Sequence, residues 1–190
     1  VKTVKSAANL LPSVVVRSRW SMKTILYMAM TVNGKIAGVD DDTNWTSKED
    51  WDGFRAMCKK VGNAVIGRRT YDMVKKEGAQ LGDVLTVVLT HDTALLAKKS
   101  PNTIFTDKPA KDILTMLERK GFKEALVAGG GILNSAFLKE GLINEVYIDI
   151  EPLILGRGIP LFADGDFAPR LKLLGVKTLS NRQTIQLHYK

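Results

Sequence analysis

The sequence predicts a three-layer α/β/α sandwich around a mostly parallel mixed sheet with an antiparallel C-terminal hairpin. Three observations carry this. Short, nearly unbroken apolar runs recur at Thr24–Thr31, Asn63–Ile66, Val84–Leu89 and Ala125–Ala128, as expected of strands buried on both faces. Three of the predicted strands are separated from the next by a helical pattern, the signature of parallel strands joined by right-handed crossovers. The last segments, Arg170–Leu179 and Arg182–Tyr189, meet at Ser180-Asn181 and read as a closing hairpin.

Thr24–Thr31 is the first strand and ends at the turn pair Asn33-Gly34. An acidic loop, Asp40–Asp42, leads to Asn44-Trp45. Ser47–Lys60 reads as a helix: Ser47 and Asp50 make a capping-box-like start, and Trp51, Phe54, Cys58 and Val61 form one apolar stripe. From spacing alone, Asp50 is better read as a cap than as a group aimed into a pocket. Asn63–Ile66 is a second strand, followed by Gly67-Arg68-Arg69-Thr70 and a helical pattern running to Glu77-Gly78. Val84–Leu89 and Thr103–Phe105 are strands, and Pro109 opens a helix with Ile113, Leu114 and Leu117 on its buried face. Ala125–Ala128 feeds Gly129–Gly131, then a helix over Ile132–Glu140, then a strand over Asn144–Ile150.

With 190 residues, 45% hydrophobic and 25% charged, the chain suits one domain, expected at residues 22–190. No apolar run approaches the roughly 18 residues of a membrane span. The single cysteine, Cys58, rules out an internal disulfide and argues against a cysteine zinc site, so a reducing, cytoplasmic setting is expected. The net charge is +8, from 28 Lys+Arg and 20 Asp+Glu. Residues 1–21 carry Lys2, Lys5, Arg17 and Arg19 and no acid, so removing those four leaves 24 against 20, or +4. The body is only mildly basic and lacks a reading motif, so no nucleic-acid partner is expected. The basic first 21 residues, before Met22, are expected to lie outside the fold, whether as upstream addition, extension or targeting segment.

Strand ends followed by glycines and helix starts are suited to anions, because the first helical N–H groups are unpaired and partly positive. Gly67–Thr70 and Gly129–Gly131 both have this form, and Arg68 and Arg69 add cations where the helix dipole alone disfavours them. In parallel sheets such loops meet beyond the strands' carboxyl ends. Asn33-Gly34, Gly67–Thr70, Thr90-His91 and Gly129–Gly131 are therefore expected to converge. No metal cluster, nucleophile elbow or phosphate-loop NTPase motif is present, and the dinucleotide fingerprint fails at Asn134. A phosphorylated cofactor that brings the chemistry is the reading left.

Trp45-x4-Asp50-x3-Phe54, Gly67-Arg68-Arg69-Thr70 and Gly129–Gly131, in that order, resemble the dihydrofolate-reductase-like superfamily over nearly everything from Met22 onward. Gly141–Glu145, the run from Pro152 to Phe162, and Thr31–Ala37 resemble more closely the reductase domain of riboflavin biosynthesis, the C-terminal part of the bifunctional deaminase-reductase. Asn33 stands where that family's motif has an acid. Gly82-Asp83-Val84 lacks the basic residue of true folate reductases, and Asn134 replaces their aromatic. The resemblance implies NADPH held by Ala29, Gly67, Arg68, Arg69, Thr70, Thr90, Gly129, Gly130, Gly131, Ile132 and Leu133. It implies a small-molecule substrate met by Asn33, Lys35, Trp45, Phe54 and Glu145, with Asp50 orienting or protonating it. The activity implied is reduction of the ribosyl chain of a ribosylamino-pyrimidine 5′-phosphate in riboflavin biosynthesis. Reduction of dihydrofolate or another pterin, and a non-catalytic nucleotide-binding module of the same fold, remain open beside it. A homodimer formed around the closing hairpin is a further expectation.

Overall fold

The computed structural model describes residues 22–76, 81 and 83–190. The expected extension 1–21, the Glu77-Gly78 helix end and Gly82 lie outside the described residues. The chain runs β1 (Lys23–Thr31), β2 (Lys35–Ala37), α1 (Lys48–Val61), β3 (Asn63–Gly67), α2 (Arg68–Lys76), β4 (Leu85–Leu89), α3 (Thr93–Leu96) and β5 (Thr103–Thr106). It continues through α4 (Ala110–Arg119), β6 (Glu124–Val127), α5 (Gly131–Lys139), β7 (Glu145–Glu151), β8 (Ile159–Pro160), β9 (Leu173–Thr178) and β10 (Ile185–Tyr189).

Eight strands form one sheet in the order β5-β4-β3-β6-β1-β7-β10-β9. The six from β5 to β7 run parallel, and β10 and β9 add antiparallel. Alternation along the strands splits the core in two. Leu26, Val65, Val87 and Val127 face α4 and α5, where Leu114, Leu117 and Phe137 are buried. Ile25, Tyr27, Ile66 and Leu126 face α1 and α2, where Cys58, Val61 and Val74 are buried. The three predicted layers are therefore present, because each strand places successive side chains on opposite faces.

The sheet is thinnest where β3 meets β6, which share one register pair, Val65↔Val127. Asn63, fully buried, stitches this seam. Its Nδ2 donates to the Glu124 carbonyl at 2.8 Å, and its Oδ1 accepts from the Leu126 N–H at 3.3 Å. Higher up, the Gly67 N–H donates to the Gly129 carbonyl at 2.8 Å.

Three local features differ from expectation. Lys35–Ala37 and Ile159–Pro160 pair as a separate two-stranded ribbon, β2-β8. Strands of two or three residues carry too little alternation to be seen in sequence. The turn α3 is capped by Asp92, whose Oδ1 accepts from the Ala94 and Leu95 N–H groups. The closing hairpin starts at Leu173 rather than Arg170, and its connection is longer than Ser180-Asn181. There the Asn181 Oδ1 gathers the Gln183 and Thr184 N–H groups, and Arg182 takes a left-handed φ of 59°. β9 is an edge strand with Leu173, Leu174 and Val176 exposed.

Candidate active site

The carboxyl ends of β1, β3, β4 and β6 surround a cavity of about 380 Å³. Met28 and Ala29 come from β1, Gly67 closes β3, and Arg68, Arg69 and Thr70 open α2. Thr90 and His91 follow β4, while Gly130, Gly131, Ile132 and Leu133 open α5. Asp50, Trp51 and Phe54 of α1 form the opposite wall. The anticipated convergence at the strand ends is thus realised for every loop except Asn33-Gly34, whose neighbours Ile36 and Ala37 line the cavity instead.

The glycine turn gives one end its shape. Gly129 has φ +84°, and a Cβ there would lie 2.9 Å from the Met28 Cε. A Cβ on Gly130 would project between Thr70 and Ile36, and one on Gly131 would lie 2.5 Å from the Pro160 carbonyl oxygen. Bare backbone at the start of α5, beside the Thr70 hydroxyl, is a cradle of the size and polarity a pyrophosphate needs. The residues thus fit a dinucleotide phosphate. Both arginines already have carboxylate partners. Arg68 bonds Asp72 and Asp92, each at 2.6 Å, and Arg69 bonds Asp41 at 2.7 Å. The dipole misfit noted in the sequence is therefore offset within the chain. Arg69, more exposed and held by one carboxylate, is the freer of the two.

The other end is acidic. Asp50 is 5% exposed, and its Oδ1 has no hydrogen-bond partner. Burial, reinforced by a hydrogen bond with Asp149 and by the charges of Asp149 and Glu151, pushes its carboxyl up to about 9. Its side chain is not a cap. Ser47 Oγ accepts from the Asp50 N–H, but the Ser47 N–H donates to Glu151 rather than to Asp50. Glu151 also accepts from the Ser47 and Thr184 hydroxyls, at 2.6 and 2.9 Å. Asp149 accepts from the Tyr27 hydroxyl at 2.7 Å and from the Gln186 amide at 2.9 Å.

Four expected substrate residues do not reach the cavity. Asn33 pins the loop after β7: its Nδ2 donates to the Leu155 carbonyl at 2.7 Å, and its Oδ1 accepts from the Leu155 N–H at 3.2 Å. A carboxylate could not donate the first bond, which accounts for an amide here. Lys35 pairs with Pro160 in the ribbon and is not part of the cavity wall. Trp45 Nε1 donates to the Asp42 carbonyl, and Trp51 supplies the aromatic wall instead. Glu145 sits at the amino end of β7, away from the strand tips, bonded to Lys23 at 2.9 Å and His188 at 3.0 Å. Burial works against its charge, but those two bonds outweigh it and hold the carboxyl below its usual range. Asp149 and Glu151 are the residues that sequence reasoning missed. Their signal was two acids in an otherwise apolar strand, Val146–Glu151.

This arrangement has relatives. Residues 22–185 match the model of the RibD C-terminal domain. The chain belongs to that family. It is 32% identical over 178 residues to the uncharacterized protein YwjB of Bacillus subtilis (strain 168), covering 88% of this chain and 97% of that one. It is 26% identical over 118 residues to a dihydrofolate reductase of Heliothis virescens, covering 58% and 64% respectively. A candidate riboflavin biosynthesis protein from Shewanella sp. PV-4 superposes with a TM-score of 0.74 at 26% identity, over 88% of this chain and 98% of that one. The Thermotoga maritima diaminohydroxyphosphoribosylaminopyrimidine deaminase/5-amino-6-(5-phosphoribosylamino)uracil reductase gives 0.73 at 20% identity, over 90% of this chain and 56% of that one, a likeness of fold. The RibD C-terminal fold is thus the riboflavin-type, dihydrofolate-reductase-like fold that the motifs imply. Among the described residues no group of acids, histidines or cysteines is placed to hold a metal ion, and no helix is long and apolar enough to cross a membrane.

Proposed function

We propose that this RibD C-terminal domain is an NADPH-dependent reductase, and that its first candidate reaction is reduction of the ribosyl chain of the riboflavin-pathway ribosylamino-pyrimidine 5′-phosphate to a ribityl chain. The observation that carries the reading is the pairing of two ends in one cavity. A bare glycine turn and two helix starts face a buried carboxyl held in its protonated form. NADPH, when bound, would supply the hydride. Gly130, Gly131 and Thr70 would hold its pyrophosphate, and Arg69 its 2′-phosphate by exchanging its bond to Asp41. Trp51 and Phe54 would stack against the heterocycle. Asp50, as the neutral acid, would give its proton to the atom next to the one reduced.

Reduction of a pterin is the second reading. Asp50 beside Phe54 favours it, as does the absence of Lys35, the residue expected for a substrate phosphate, from the cavity wall. One assay separates them: NADPH oxidation by purified protein with the pyrimidine phosphate and with dihydrofolate. Turnover of the first alone is expected. Asp50→Asn should cut turnover by about 10²–10⁴-fold, the usual contribution of a general acid, while NADPH binding stays within twofold. Equal affinity for NADH would remove the arginines from the cofactor site. A protein that binds NADPH and reduces neither compound would be the nucleotide-binding module.

A further inference from the structure

We infer that Asp149 is a positioning residue for Asp50: the two carboxyls share one proton, and the Tyr27 hydroxyl and Gln186 amide decide that it rests on Asp50.

Among the described residues Asp50, Asp149 and Glu151 are the fully buried acids, and none of the three has a cation partner. A buried carboxylate is tolerated when donors surround it and is neutralised when they do not. Glu151 receives the Ser47 N–H and the Ser47 and Thr184 hydroxyls. Asp149 receives Tyr27 on Oδ2 and Gln186 on Oδ1. Asp50 receives nothing on Oδ1. The donors therefore make Asp149 and Glu151 acceptors, and the proton of the Asp50–Asp149 hydrogen bond belongs to Asp50, the member that lines the cavity. Two carboxyls joined by one hydrogen bond cannot both be ionised, since one of them must carry its proton.

Tyr27 can reach Asp149 because α1 carries a glycine where the hydroxyl lies. A Cβ on Gly53 would sit 2.6 Å from that oxygen. Glycine is a poor residue inside a helix, and the room the hydroxyl needs accounts for it here. Burial and the Asp149 charge hold the Tyr27 phenol well above its usual range, so it stays a donor. The groups facing Asp50 are thus Asp149 and Glu151 from β7 and Tyr27 from β1, with the Arg68 and Arg69 ion pairs across the cavity. The inference rests on the reductase reading only for the use made of the proton.

The test is a carbon-13 NMR titration of the aspartate carboxyls in the ligand-free protein. In the wild type Asp50 is expected to ionise well above the ordinary carboxylate range. Asp149→Asn keeps the shape and removes the charge, and should raise the Asp50 ionisation constant at least tenfold. Tyr27→Phe keeps the ring packed on Phe54 and Tyr147 but removes the donor. At pH 7 it should move the Asp50 and Asp149 signals in opposite directions, as the proton shifts toward Asp149. The inference is overturned if Asp50 titrates normally in the wild type, or at an unchanged pH in Asp149→Asn. Should Asp149→Asn not fold, Tyr27→Phe decides, and an unmoved Asp149 signal sinks the idea. Since no substrate is present, a chain that shows this titration yet reduces nothing refutes the reductase reading and leaves the proton pair standing.

Discussion

At the scale of single residues, Asp50 links stability to pH. Its folded-state carboxyl is raised to about 9 from an ordinary value of 3.8. Between those values the native state holds a proton that the unfolded chain has lost. Stability from this group is therefore full below the unfolded value and lost as pH rises through the folded one. Asp50→Asn, which mimics the neutral acid, should gain on the wild type as pH rises through this window, its melting temperature leading by several degrees more near pH 9 than near pH 5. Thermal unfolding at the two pH values checks this, and a difference that is the same at both would mean that Asp50 is not protonated in the fold. The sequence showed Asp50 in the correct helix but not its environment. Ser47 beside it satisfied the cap pattern, and the acids that surround it lie about 100 residues away, on β7.

At the scale of elements, the glycine turn depends on the ribbon that covers it. Gly131 begins α5 directly beneath the end of β8, where the carbonyl oxygens of Pro160 and of Leu161, the residue after the strand, face it. Asn134 donates to the Leu161 carbonyl and Ser135 to that of Ala163, so α5 and the β8 loop are clamped together. Gly131→Ala would push backbone against backbone, at about 1–3 kcal/mol for such overpacking. A lower denaturation midpoint with weaker NADPH binding is expected, and unchanged values for both would show that the contact yields freely. Motif spacing identified the glycines as an anion site. It could not identify their cover, because β2 and β8 are three and two residues long and pair across more than 120 positions. The same distance hid the role of Asn33, which reads as a turn residue until Leu155 is beside it.

At the scale of the molecule, the sheet is two blocks joined at β3–β6, and the cavity lies over the join, with Gly67 on one side and Gly130 on the other. The apolar runs sufficed to read the parallel sheet and its layers. They could not give strand order, because each run is equally able to pair with any other. Asn63 marks the join: Asn63→Ala strands buried backbone groups on β6 and should cost about 1–3 kcal/mol. Urea unfolding reads this as a lower midpoint at constant slope, and an unaltered midpoint would mean that the blocks are held by packing alone.

β1 occupies the middle of the sheet, although it is the first strand of the described chain. Its two neighbours, β6 and β7, begin at Glu124 and Glu145. Emerging from a ribosome, β1 therefore waits through four further strands and four helices before either side can be hydrogen-bonded. Until then its apolar run stays exposed to other chains. Such long-range closure is slow and open to aggregation. Nascent-chain protection of TILYMAMT, rather than the later strands, is thus the vulnerable step in making this enzyme-like fold.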